Sequence, residues 1–110
     1  MAYDEDLADR IRAALGEAHH VTEKRMFGGL AFLVNGNMAV AASGQGGLML
    51  RCDPDESAEL VKEPGVSRME MRGREMDGWL RVTSAAVTDD EALQRWVDVG
   101  TSYAATLPPK

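Results

Sequence analysis

Three arginines within one short segment are the side chains of this chain best suited to binding an anion. Arg68, Arg72 and Arg74 each carry a planar guanidinium that can donate paired hydrogen bonds to a phosphate or to the carboxylates of an acidic partner. Acidic residues at positions 70, 75 and 77 interleave with these arginines, so ion pairing within the chain is the simpler interpretation. An anion patch formed by Arg68, Arg72 and Arg74 is therefore kept as the alternative.

The other chemically capable side chains form no recognisable constellation. His19 and His20 are adjacent and lack a Cys/His set with zinc spacing, which favours a place in a loop or at a helix end. Cys52 precedes Asp53, whose negative charge opposes thiolate formation, so a buried and inert thiol is predicted. The glycine-rich segment 43–47 lacks the Lys-Ser/Thr ending of a P-loop. We expect no catalytic residue, no metal site and no cofactor.

Methionine and tryptophan side chains favour packing over ligand binding. Most of the seven methionines fall on predicted strands, where they suit the filling of a core, although thioethers also form adaptable partner surfaces. Trp79 and Trp96 are predicted to join one buried cluster. Basic residues concentrate on the predicted strands and their connections, whereas carboxylates crowd the predicted helices.

The elements that position these residues follow from hydrophobic spacing and capping signals. Leu7, Ile11 and Leu15 recur every fourth residue, which predicts a helix from about Asp4 to Ala18. Four strands in an antiparallel meander should follow, and Asn35-Gly36 is the strongest turn signal between them. The predicted strands are Thr22 to Phe27, Leu30 to Val34, Met38 to Ala42 and Leu48 to Cys52.

The second half of the chain alternates in the same way. Asp53, Pro54 and Glu56 combine a cap, a proline at the first helical position and a capping-box carboxylate. Thr88 and Glu91 form a second capping-box pattern. The predicted elements are a helix from about Pro54 to Lys62, strands Ser67 to Met71 and Trp79 to Val82 around a turn-rich segment 72–78, and a helix from about Asp89 to Thr106. This order predicts an α+β fold of two layers, with helices on one face of a mainly antiparallel sheet.

The two central strands are apolar on both sides, which a sheet with one solvent-facing surface would not produce. If the helices cover one face, the small residues Ala31, Ala39 and Ala41 form a predicted interaction surface on the other. A second copy of the chain, giving a homodimer, is the preferred cover. The alternative is a loop or a helix end of the same chain.

Composition excludes several classes of function. The 110 residues suit a single domain, and the net charge of -6 opposes direct binding to nucleic acid. No apolar run approaches the length of a membrane span. The acidic start and the lone Cys52 lead us to expect a cytoplasmic protein.

The segment from Lys24 to Phe32, continued by Asn35-Gly36-Asn37-Met38, resembles the signature of TfoX N-terminal domains. Met69 to Gly73 and Gly78-Trp79 are similar to the second half of that family, and the resemblance extends over about residues 3–107. It implies a helix, three or four strands, a helix, two strands and a final helix. Members include the N-terminal part of the TfoX/Sxy regulators of natural competence, which act with a transcription activator, and many stand-alone domains.

The resemblance implies a stand-alone, single-domain member that lacks the second domain of the full-length competence regulators. We accordingly expect a non-enzymatic regulatory or protein-interaction domain with a protein partner or a homodimer. The alternative is a small-anion or nucleotide-binding domain that uses the segment from Arg68 to Arg74. A hidden enzyme, with dispersed acidic and histidine side chains that meet in space, is the third hypothesis.

Overall fold

The computed structural model describes residues 3–16, 21–26, 28–44, 46–71 and 73–109. Its elements follow the predicted order of helix, strands, helix, strands, helix. The helices are α1 (Glu5–Leu15), α2 (Pro54–Leu60) and α3 (Asp90–Thr106), with a short 3-10 helix at Ser84–Val87. The strands are β1 (Val21–Met26), β2 (Gly29–Val34), β3 (Asn37–Ala42), β4 (Leu48–Arg51), β5 (Val66–Met71) and β6 (Arg74–Val82).

The described strands form one antiparallel sheet in the order β1-β2-β3-β4-β6-β5. The first four strands form the predicted meander. The chain then passes through α2 to the far edge of the sheet, and β6 returns to lie between β4 and β5. The predicted α+β fold with an antiparallel sheet is confirmed.

The central hairpin turn has the predicted conformation. Asn35 and Gly36 have φ angles of 52° and 84°, the positive values that a two-residue turn between twisted strands requires. The side-chain amide of the buried Asn37 donates a hydrogen bond of 2.9 Å to the carbonyl oxygen of Pro108. This bond ties the C-terminal end of the chain to the hairpin.

The main core lies between the helices and one face of the sheet. The predicted stripe of Leu7, Ile11 and Leu15 is buried along α1. Trp96 of α3 and Phe32 of β2 join the same cluster, so all these side chains share one apolar layer. Burial of this layer removes apolar side chains from water, which is the dominant favourable contribution to folding.

A β-bulge in β3 shapes the contact with α3. Phe32 pairs with Val40 but Leu33 pairs with Met38, so Ala39 is an extra residue in β3. A bulge rotates the backbone locally and re-aims a side chain. Ala39 consequently packs against Ala104 of α3, on the helix-covered side of the sheet.

Gly100 permits the close approach of α3 to this bulge. A Cβ atom at Gly100 would lie 2.5 Å from the carbonyl oxygen of Ala39 and 2.7 Å from Cγ1 of Val40. Gly100 is buried in the middle of a 17-residue helix, where glycine is otherwise unfavourable. Glycine lowers the helix propensity of α3 at this position, but its missing side chain lets the backbones of α3 and β3 come into contact.

Two local predictions are wrong. The segment 72–78 was expected to be a turn, but β6 begins at Arg74 and contains Gly78, whose φ is 83°. Gly78 lies where residues 77–79 have no opposite partner in β5, so the Asp-Gly pair marks a bulge rather than a turn. Asp89, not Thr88, caps α3 by accepting from the N–H of Glu91. The predicted ends of the first helix at 17–18 and of the first strand at Phe27 lie outside the described residues.

An ion-pair cluster ties α1 to the first edge strand. Arg12 donates through Nε to Oε2 of Glu23 at 2.7 Å and through Nη2 to Oε1 at 2.8 Å. A further bond of 2.5 Å joins Arg12 to Asp9. Hydrogen bonding and charge from Arg12 hold the pKa of the Glu23 carboxyl below its usual value of 4.5.

Gly100→Ala should destabilise the protein. The same change in an unhindered helix interior stabilises by about 0.8–1 kcal/mol. Here we expect a loss of about 1–3 kcal/mol, because the new methyl group overpacks the bulge in β3. Urea unfolding measures the change, with Ser102→Ala, an exposed position of α3, as the control. A stabilised Gly100→Ala protein would contradict the close contact.

Glu23→Gln should remove part of the pH dependence of stability. A carboxyl whose pKa is lowered by folding stabilises the native state above its unfolded pKa of about 4.5, and this stability is lost as the pH falls through the lower folded pKa. Because the pair is partly exposed, we expect a difference of no more than about 1 kcal/mol at pH 7. Urea unfolding between pH 7 and 3 should show the free energies of unfolding of the two proteins converging as the pH falls. A difference that stays constant with pH would contradict the Arg12–Glu23 ion pair.

Candidate functional site

A second apolar cluster lies on the face of the sheet opposite the helices, here called the open face. Ala31, Ala41, Met38 and Met49 are buried there, with exposures of 1%, 3%, 6% and 6%. Partly buried apolar side chains pack around them, namely Met26, Leu33, Met69 and Trp79. This face thus has its own small core, built from side chains of the sheet.

The strand register places small side chains at the centre of the open face. Ala31 of β2 pairs with Ala41 of β3, and Ala41 pairs with Met49 of β4. Larger side chains from the neighbouring strands pack over this row, as the burial of both alanines requires. The row therefore forms the floor of a depression.

Side chains from the two edge strands line one cavity above this floor. Met26 of β1 and Met69 of β5 line one cavity of about 70 Å³, although four strands lie between their own strands. In a flat sheet these strands would be about 24 Å apart and their side chains would stand parallel. The sheet must therefore curl towards the open face. We call this cavity, with Ala41 and Met49 as its floor, the methionine groove.

The loop between β3 and β4 closes one end of the methionine groove. Ser43 and Gly44 line it, together with Arg81 of β6. Arg81 donates from Nη2 to the carbonyl oxygen of Gly46 at 3.2 Å, and this nitrogen lies 3.5 Å from Oγ of Ser43. The predicted glycine-rich loop is thus a hairpin connection held against the sheet, while Gln45 within it lies outside the described residues.

Arg51 lies at the end of β4, on the open face by register, and its guanidinium reaches the border with α3, near two aromatic rings. Its guanidinium carbon is 5.2 Å from the ring centre of Trp79 and 5.6 Å from that of Tyr103. Such contacts are attractive because the ring faces carry partial negative charge. The sequence places Arg51 among the basic residues of the predicted strands and gives it no role. Its spacing of two residues from Met49 in β4 is the signal for the open face.

The structure separates the residues of the predicted interaction surface. Ala31 and Ala41 lie together on the open face, but the bulge turns Ala39 towards α3 on the other side. All three are buried within the single chain, with exposures of 1%, 3% and 0% in the order Ala31, Ala41, Ala39. Their part in binding a partner stays a prediction, and any contact would be made through the larger side chains around Ala31 and Ala41.

Two of the three arginines of the predicted anion patch, Arg68 and Arg74, lie within the described residues. Arg68 lies 3.2 Å from a carboxylate oxygen of Asp77 and 3.8 Å from one of Glu75, so its charge is matched within the chain. Arg74 is exposed at the first position of β6, opposite Met71, and Arg72 lies outside the described residues. The ion pairing expected for this segment is present at Arg68, and the patch as a whole stays a prediction.

Trp79 and Trp96 do not share a cluster, so that prediction is wrong. Trp96 belongs to the main core, whereas Trp79 packs at the edge of the open face, because its strand position alternates with the core residue Leu80. The methionines do fill a core as predicted, but Met26, Met38, Met49 and Met69 fill the one on the open face.

A second groove lies between α2 and α3. It has a volume of about 600 Å³ and is lined by Asp53, Glu56, Arg95, Asp98, Val99, Ser102 and Tyr103. Arg95 is paired with Glu63 through two hydrogen bonds of 2.5 Å, which holds the pKa of Glu63 below its usual value. The carboxylates of Asp53, Glu56 and Asp98 give this groove an acidic lining. Tyr103, which also lines the groove, is one of the two rings in contact with Arg51.

The described residues form neither a metal-binding cluster nor a membrane-spanning helix. Among them, no three His, Cys, Asp or Glu side chains are grouped so that they could hold a metal ion. None of the described helices is both long and apolar enough to cross a membrane. His19 and His20 lie outside these residues.

Comparison with protein families identifies the fold family. The family model of the TfoX N-terminal domain matches residues 13–104. The chain belongs to the TfoX N-terminal domain family. No curated protein and no solved structure matches it at a significant level. The matched range begins within α1 and ends within α3, so all six strands and the whole open face belong to this TfoX N-terminal domain.

The lone thiol of this TfoX N-terminal domain should be unreactive in the native state. Cys52 has no exposed surface, and burial, followed by the charges of Glu56 and Asp53, raises the pKa of its thiol to about 11. At pH 8 the thiolate fraction is then on the order of 100-fold below that of an ordinary cysteine. Labelling with a chromogenic disulfide reagent should be slow in buffer and fast in urea. Equal rates in both would contradict the buried position.

Proposed function

We propose that this TfoX N-terminal domain is a non-enzymatic regulatory module that binds a protein through its open face. The methionine groove is the single observation that carries the proposal. It is a concave apolar surface that no helix of the described residues covers, and apolar surface left open in this way marks protein-interaction sites.

The chemistry of the groove lining supports a peptide or protein ligand. Met26, Met49 and Met69 are unbranched and polarizable, so they adjust to partner side chains of different shape. Their half-buried or buried state leaves little to rearrange before binding, which lowers the ordering cost. A flexible apolar lining with a polar rim is therefore suited to selecting a short apolar segment.

The regulatory part of the proposal has two supports. The chain resembles the TfoX/Sxy regulators, which act together with another protein. Cys52, the nucleophile with the strongest intrinsic reactivity in the described chain, is buried with a raised pKa, which disfavours chemistry at that position. The proposal places the domain in the cytoplasm, where unpaired cysteines are normal.

Met26→Gln combined with Met69→Gln should weaken partner binding without unfolding the domain. Both side chains are half-buried at the rim, so polar replacements weaken contact with an apolar ligand more than they weaken the fold. We expect capture of the partner from the native cytoplasm to fall by about tenfold or more. Ala58→Gln, on the exposed side of α2, is the control and should capture as the wild type does. Thermal unfolding checks that all variants fold.

Sedimentation at several concentrations identifies the occupant of the groove. A dimer that the two Met→Gln changes dissociate would make the occupant a second copy of the chain, as the sequence predicted. A monomer that captures another protein through Met26 and Met69 would make it a separate partner. A monomer whose captured proteins are the same for the wild type and the double variant would contradict the proposal.

A further inference from the structure

Arg51 offers hydrogen bonds that the described chain does not use. Its guanidinium is near the rings of Trp79 and Tyr103, and no described residue accepts a hydrogen bond from it or forms an ion pair with it. The nearest carboxylate in sequence, that of Asp53, is engaged as the cap of α2, where it accepts from the N–H of Asp55 at 2.9 Å. Two rings therefore hold a guanidinium whose edge is available to a ligand.

This geometry suits a carboxylate. Contact with two rings restricts the guanidinium, and its planar set of N–H donors is available to a ligand. A carboxylate then forms two parallel hydrogen bonds with it, which is the strongest pairing open to this side chain. Less side-chain freedom is lost on binding because the rings already restrict Arg51.

The open face has the opposite sign of charge from the whole chain. By register it carries Lys24 opposite Ala31, Arg81 opposite Met49, and Arg51 opposite Trp79. The chain as a whole has 18 acidic and 12 basic residues. Surface charge that departs from the molecule's net charge directs which partners associate.

The carboxylates of the strands are turned the other way. Glu23 is bound by Arg12 of α1, and Glu75 and Asp77 lie against Arg68. Arg68 is opposite Leu80 of the main core, which places this group on the helix-covered side. Within the described strands, these carboxylates therefore lie on that side of the sheet, whereas Lys24 and Arg51 lie on the open face.

We propose that the methionine groove binds an acidic and apolar segment of another protein, and that Arg51 receives a carboxylate of that segment. This inference rests on the function proposed above. Arg51 is two residues beyond Met49 in β4, so by register the two side chains leave the same face of the sheet about 7 Å apart. An apolar residue and an acidic residue at positions i and i+2 of an extended segment match this spacing.

Charge also distinguishes this partner from a second copy of the chain. A symmetric dimer packed through the open face would bring the same surface of both copies together. Lys24 and Arg51 of one copy would then meet their counterparts in the same interface, where like charges oppose association. An acidic segment neutralises these cations instead.

The test uses a random-peptide display library selected on the purified domain. One enriched peptide is then synthesised with a fluorophore, together with a neutral version in which Gln and Asn replace its Glu and Asp. Fluorescence anisotropy gives the Kd of both peptides for the wild type and for Arg51→Gln, Arg51→Lys and Arg25→Gln. Arg25 is the matched control, since it is exposed and pairs with Leu30 of the main core, on the other side of the sheet.

We expect acidic residues to be enriched among the selected peptides. Arg51→Gln should raise the Kd of the acidic peptide by about tenfold or more. It should change the Kd of the neutral peptide by less than about threefold. Arg51→Lys keeps the charge but loses the planar donors, so its Kd for the acidic peptide should lie between those of Arg51→Gln and the wild type. Arg25→Gln should bind as the wild type does, and thermal unfolding checks that Arg51→Gln is folded.

Two other outcomes separate this inference from the proposed function. In the first, binding of the selected peptides depends on Met26 and Met69, but their Kd is unchanged by Arg51→Gln or by replacing their Glu and Asp. This result would overturn the role of Arg51 and leave the proposed function standing. If no selected peptide depends on Met26 and Met69, the groove is not a peptide site, and the proposed function is overturned together with this inference.

Discussion

The curl of the sheet is the constraint on which the rest of the structure depends. Apolar side chains project from both faces of β2 and β3, but the helices of the described chain pack on one face only. The sheet buries the other set by bending, so that Met26 and Met69 from its two edges converge over Ala31 and Ala41. One backbone distortion thus removes apolar area from water and forms a groove.

The helix-covered side fixes the sheet in this shape. α3 lies against the backbone of β3 through Gly100, and the bulge at Ala39 fits the space between them. Arg12 and Glu23 join α1 to the edge strand β1, and α2 packs beside β6. The rigid packing on one side and the adaptable methionines on the other divide structural and binding roles between the two faces.

Much of the fold was predictable because local signals agree with one another. The Leu7, Ile11 and Leu15 stripe, the Asn35-Gly36 turn and the caps at Asp4 and Asp53 each act over a few residues. The site was less predictable. The bulge that turns Ala39 away from Ala41, and the register that sets Trp79 beside Arg51, depend on pairing between strands. Asp77-Gly78 shows the limit clearly, since the same dipeptide suits a turn or a bulge.

Bulges in β3 and β6 lie inside the sheet that forms the methionine groove, yet Ala39 and Gly78 do not line it. Bulges increase the local twist of a sheet. The distance between Met26 and Met69 across the groove depends on the small rotations between successive strands, added over the sheet. The width of the groove is therefore a property of the backbone. Relatives with an unchanged lining can differ in the ligands they accept, through substitutions at positions that no ligand touches.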